Sequence, residues 1–133
     1  KPCSFVHLPK TDKAPYQALR VAQCAVCKHA YVPEVLLATV DPPRGLGITG
    51  TSDLLEARVA RRIEKAAGEL ACVAMSEELI FLEYEIHQQF VLKLKVSGCN
   101  AAFGVRSSVV FRDDVIVGTI SGTALFVDAL PAP

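Results

Sequence analysis

Residues 24–30 read CAVCKHA, which puts two cysteines and a histidine within six positions. Two thiolates separated by two residues can reach one ion at roughly 2.3 Å, so Cys24 and Cys27 form half of a tetrahedral zinc site. A closed site needs two further ligands. Cys3 and His7, spaced C-x3-H, supply them, and His29 is a nearer alternative for the fourth place. The predicted metal set is Cys3, His7, Cys24 and Cys27, with a structural zinc tying together an N-terminal block that has no visible core of its own. A redox pair would need the cysteines at a helix N-terminus after a strand, whereas this pair precedes a proline-bounded strand. The bland alternative is two separate thiols packed as small hydrophobes.

Other groups carry less chemistry. Cys72 and Cys99 lie in LACVAM and SGCNAA and read as buried, inert thiols. Glu83 and His87 are four apart on a predicted helix, where an ion pair is the ordinary outcome. Arg58, Arg61 and Arg62, with Lys65 close by, form a basic cluster that suits anionic lipid headgroups or an acidic partner. Ser107, Ser108 and Ser121 have no histidine near them in sequence. There is no nucleophile elbow and no phosphate-binding loop. The expectation is therefore a protein that is not an enzyme.

These side chains must be positioned by a small set of elements. Residues 1–32 are rich in polar and breaker residues and read as an appendage. EVLLATV (34–40) is β-prone and stops at the turn signal DPPRGLG (41–47). In ITGTSDLLEARVARRI (48–63) the alternation of Leu55, Ala57 and Val59 with charged residues suits a strand with one wet face. Residues 61–74 also admit a helix. From residue 76 the pattern is helical: Leu82, Ile86, Phe90 and Leu94 recur every four residues. Ser76 is the expected N-cap and Gly98 the expected C′ residue.

Two strands follow, 99–111 and 115–127, joined at RDD. On the last strand Ile116, Gly118, Ile120, Gly122, Ala124 and Phe126 share one face, which the helix should cover. Thr119, Ser121, Thr123 and Leu125 lie on the other face. A strand with no charge on either face is usually covered on both sides, so these four are the predicted interface.

Composition bounds the rest. The 133 residues are 51% hydrophobic and 21% charged, with fourteen basic and fourteen acidic residues. That is one globular α/β (α+β) unit with no net field to attract nucleic acid. No run is apolar and long enough to insert in a membrane. No signal peptide is expected, and five unevenly spread cysteines favour a reducing compartment. The absence of an initiator Met and the terminal LPAP suggest a segment of a larger protein.

The order of a helix, GCNAAFGVR and a hairpin ending in VGTISGTALFV resembles the YbjQ-like family. Gly98, Asn100, Ala101, Gly104 and Arg106 match its first strand, and Ser121, Gly122, Thr123 and Ala124 match its closing strand. VPEVLLATVDPP, ARVARR and FLEYEIHQQFVLKLKVSGCNAAFGVR are similar to the C-terminal part of the C2-domain-containing protein five family. The resemblance implies a YbjQ-like domain over 33–130, a mostly antiparallel sheet with a long helix on one face; the zinc-binding appendage read from the cysteine and histidine spacing precedes it over 1–32. The resemblance further implies a non-enzymatic interaction or oligomerisation module acting in vesicle traffic and insulin-responsive glucose-transporter delivery. The location would be cytoplasmic with peripheral membrane contact through a C2 domain outside this chain. Partners would be proteins or further copies, up to a pentamer. The alternative it implies is a ring-forming metal- or small-ligand sensor.

Overall fold

The computed structural model describes residues 6–8, 20–63 and 69–133. Cys3 and Lys65 lie outside them. Seven elements follow in chain order: β1 (Val21–Gln23), β2 (Tyr31–Pro33), β3 (Leu36–Leu37), β4 (Ile48–Arg62), α1 (Glu69–Val96), β5 (Ala101–Arg112) and β6 (Val115–Val127). The main sheet has the order β3-β5-β6-β4; β1 and β2 form a separate hairpin. β4, β6 and β5 are antiparallel neighbours, while β3 joins parallel to β5 at Leu36–Ala101 and Leu37–Ala102. The β-prone run 34–40 thus yields only a two-residue strand; beyond Leu37, Ala38 and Val40 still bond to β5, but around the bulge at Gly104, whose φ of +61° breaks the regular ladder.

α1 lies across one face of the sheet. Its stripe of Leu82, Ile86, Phe90 and Leu94 is buried against Ala57, Val59, Ile116, Ile120 and Ala124. Contact is close at Gly118, where a Cβ would stand 3.1 Å from a Leu82 methyl and 3.2 Å from an Ile86 methyl. A side chain there would push the helix off the sheet.

The helix begins at Glu69, in agreement with the helical reading of 61–74 at its C-terminal end. Ser76 is therefore not its cap. It sits inside the helix, its hydroxyl donating to the Cys72 carbonyl at 2.9 Å, as serines in helix interiors commonly do. The C-terminus closes as expected. Gly98 takes a φ of +82°. Cys99 N–H donates to Leu94 O and Gly98 N–H to Lys95 O, both at 3.0 Å, the paired bonds of a Schellman motif.

The other face of the sheet divides into two halves. Near the start of β5 and the end of β6 a second core forms: Ala101, Phe103, Leu125, Val127, Ala129 and Leu130 are buried with Cys24, Val32 and Leu46. Beyond the β5 bulge between Phe103 and Arg106, this face is open. Asn100 clamps the closed half at its end. Its amide donates to the carbonyls of Val127 at 3.1 Å and Pro131 at 3.1 Å, and its oxygen accepts from Val127 N–H at 2.8 Å. All of this lies in a site where the residue is 1% exposed.

Candidate metal centre and binding surfaces

The CxxC loop is the turn of the β1–β2 hairpin. Cys24 N–H donates to Ala30 O at 2.8 Å, and Lys28 N–H donates to Cys24 O at 2.9 Å. Lys28 must take a φ of +60° to close this loop. A non-glycine residue there costs about 1–2 kcal/mol, so the surrounding contacts hold the loop in place against local preference. The tight turn aims both sulfurs to one side.

Residues 6–8 run beside the hairpin. Leu8 bridges Tyr31, with Leu8 N–H donating to Tyr31 O at 2.8 Å. That bridge delivers His7 to the cysteines. The ligand atoms of His7, Cys24 and Cys27 all lie within 4.8 Å of one another, and His7 Nε2 is 3.7 Å from Cys27 Sγ. Zinc bond lengths in a tetrahedron place a sulfur and a nitrogen roughly 3.6 Å apart. The separation therefore fits two donors to one ion. Cys24 is fully buried and Cys27 half-buried, as in a site with one dry and one accessible side. A His7, Cys24 and Cys27 cluster that could hold a metal ion is thus present. Cys3, the sequence-based candidate for the remaining position, falls outside the described residues. His29 is exposed and not part of the cluster.

The remaining candidates separate in space. Arg61 lies on the helix side of β4, where its guanidinium donates to Glu78 at 2.7 Å and to Glu85 at 3.0 Å and stacks over Phe81. Hydrogen bonding to Glu78, then to Glu85, raises its pKa above the ordinary arginine value. It ties β4 to α1 and does not share a face with Arg58 and Arg62. Those two point outward and pair with Glu56 and Asp114, at 2.7 and 3.7 Å.

Of the predicted interface, Leu125 is consumed by the chain's own second core. Thr119, Ser121 and Thr123 lie on the open half of the outer face. Around them stand Leu54 and Val110, 79% and 56% exposed. Expectations for the two other cysteines divide: Cys99 is buried, but Cys72 is exposed. His87 Nδ1 bonds the Glu83 carbonyl at 2.8 Å, a backbone bond in place of an ion pair. Sequence reasoning missed the buried Asn100 clamp, whose only signal was a polar residue inside an apolar run.

Comparison with known proteins places the fold. Residues 29–131 match the family described as C2 domain-containing protein 5, YbjQ-like domain. The chain is 36% identical over 132 residues to the human C2 domain-containing protein 5, covering 98% of this chain and 13% of that protein. It is 34% identical over 133 residues to the Xenopus tropicalis protein of the same name, with 99% and 13% covered. The chain therefore spans about an eighth of the length of these relatives, and the likeness includes the cysteine-bearing appendage that precedes residue 29. A crystal structure of a Pediococcus pentosaceus protein of unknown function, of the DUF74 family, superposes with a TM-score of 0.54 at 17% identity. It covers 71% of this chain and 98% of its own, which supports the mixed α+β fold of one helix on a four-stranded sheet. The chain belongs to the family of YbjQ-like domains of C2 domain-containing protein 5.

Proposed function

We propose that this chain is a non-enzymatic protein-interaction module, locked in shape by a structural zinc, within a larger C2-domain protein of vesicle traffic. The observation that carries the reading is the division of the outer sheet face. One half is sealed by the hairpin that carries the His7, Cys24 and Cys27 cluster together with Leu46 and the 129–130 segment, and the other presents Thr119, Ser121 and Thr123 between exposed apolar residues. The outer flank of α1 adds exposed Ile80, Tyr84, Leu92 and Val96. Apolar groups in this number on a small domain suit contact with proteins. His7, Cys24 and Cys27 would hold the zinc, with Cys3 as the fourth ligand. Zinc is chosen because two thiolates and an imidazole suit it, and because a closed four-coordinate site does no chemistry of its own. No helix among the described residues is long and apolar enough to cross a membrane. Membrane contact would come from the C2 domain of the larger protein, in a cytoplasmic setting that includes delivery of glucose transporters to the plasma membrane.

A second reading, a ring-forming sensor of small ligands or metals, draws on the open sheet face and the DUF74-like fold. Light scattering with a thermal-shift screen separates the two. The module reading expects zinc alone to raise the melting temperature. A stable ring that melts higher with a small organic ligand would replace it by the sensor reading.

A further inference from the structure

β5 is paired with β6 on one side at both ends of its bulge, but on the other side only at its beginning. β3 pairs with Ala101 and Ala102. Gly104 N–H then donates to Val40 O at 2.9 Å and Val105 N–H to Ala38 O at 3.0 Å. From Arg106 to Arg112 the outward backbone groups have no strand partner among the described residues. An edge of this length would normally be protected by a proline, a covering loop or an inward charge. Among the described residues no proline, covering loop or inward-pointing charge guards Arg106–Arg112, whose protection is limited to the two exposed outer arginines and the bulge that precedes it.

The helix also stops short of this strand. α1 packs over β4 and β6, and the register puts Ser107, Val109 and Phe111 on the helix side of β5. Val109 is half-buried and Phe111 is exposed. Between the flank of α1 and this strip lies an indentation of about 60 Å³. Leu82, Ile86 and Val109 supply its apolar wall, and His87 and Ser107 stand at its rim. His87 is anchored through Nδ1 to the Glu83 carbonyl at 2.8 Å. An unpaired strand edge beside a helix flank is the geometry by which sheets accept an added peptide strand.

Charge selects the peptide. The outer face carries four arginines on β4 and β5. Arg58 and Arg62 are paired with Glu56 and Asp114. Arg106 and Arg112, at the two ends of the open edge, are exposed and make no ion pair among the described residues. A strand added here would place alternate side chains on the two sides of the sheet. Those on the helix side would meet the apolar indentation, and those on the outer side would meet the two arginines.

We propose that the β5 edge, Arg106–Arg112, is a docking site for an extended peptide strand that alternates small apolar with acidic residues. The peptide adds to the main sheet as a fifth strand. The proposal rests on the module reading and names the partner class that module would take.

The test uses the zinc-loaded 133-residue chain and a fluorescent, end-blocked peptide alternating valine with glutamate. Anisotropy should show binding that weakens with salt, and amide exchange should slow within 106–112. A peptide of the same composition in block order, and one alternating valine with lysine, should each bind at least about tenfold more weakly. Joint Arg106→Glu and Arg112→Glu substitution should reverse the preference between the glutamate and lysine peptides. Val109→Lys, checked for folding by circular dichroism, should abolish binding through the groove alone. Equal binding of the block-order peptide, or no binding with zinc still the sole stabiliser, overturns the edge proposal and leaves the module reading standing. A stable ring that already protects 106–112 overturns both.

Discussion

The sheet is covered on one face by α1 and on half of the other by the second core, and the two covers are made by different physics. On one face, a single helix supplies four large buried side chains at four-residue spacing, packed over β4 and β6. A buried stripe of that kind contributes about 1.5–3 kcal/mol per side chain and needs nothing else. On the other face, the cover is a short hairpin, a loop residue and the chain's end, contributing Cys24, Val32, Leu46 and Leu130. The hairpin strands are three residues each, too short to stand alone. Main-chain bonds help, among them Ala25 N–H to Ala129 O at 3.0 Å. Cys24 belongs both to this second core and to the metal cluster. An ion held at that cluster would therefore couple metal binding to closure of the second face, while the helix face closes by itself.

The largest break in this comparison should come from the helix side. Phe90→Ala empties a fully buried site and should cost about 3–5 kcal/mol. Because both covers rest on the same sheet, denaturant unfolding should lose them together. A substitution that melted only the helix face would contradict the shared scaffold.

Next in size is Asn100→Ala, which strands the Val127 N–H and two or more carbonyls in a buried site. The expected cost is about 2–3 kcal/mol. Amide exchange should show the loss concentrated at 125–131, with the middle of α1 little changed at low denaturant. Uniform loss across the chain would place Asn100 in the common scaffold instead.

The smallest effect sharpens the metal side. Lys28→Gly removes the left-handed strain of about 1 kcal/mol but adds chain entropy to the unfolded state. The net should be a gain of about 0.5 kcal/mol in the zinc-loaded chain by thermal melting. Lys28→Val should instead destabilise it, since a β-branched residue resists that conformation. A Lys28→Val chain as stable as the parent would show that the loop is not strained.

The two faces were also unequally legible in sequence. The helix stripe announces itself because its period is local: Leu82, Ile86, Phe90 and Leu94 can be read without knowing the fold. So can the hairpin of β5 and β6, the helix stop at Gly98, and the cysteine pair. The start of α1 was less clear, since Ser76 is a good cap residue in a poor place, and the helix runs through it to Glu69. The second core has no period at all. It joins Val32, Leu46, Phe103 and Leu130, which are brought together only by a parallel strand and a returning terminus. The uncharged face of β6 correctly raised the question of a cover. It could not show that Leu125 is covered from within while Thr123 is exposed. Arg61 was grouped with its neighbours in sequence, yet strand alternation turns it to the opposite side.

The metal decides how the second face is held. Protein purified without chelator should carry about one zinc per chain, and residue-level amide exchange should then be compared before and after its removal by chelation. The account predicts that protection collapses in the hairpin Val21–Gln23 and Tyr31–Pro33 and at 127–130, while Leu82–Leu94 and the centre of β6 stay protected. A chain that is metal-free as purified, with the hairpin equally protected in the presence of chelator, would contradict it.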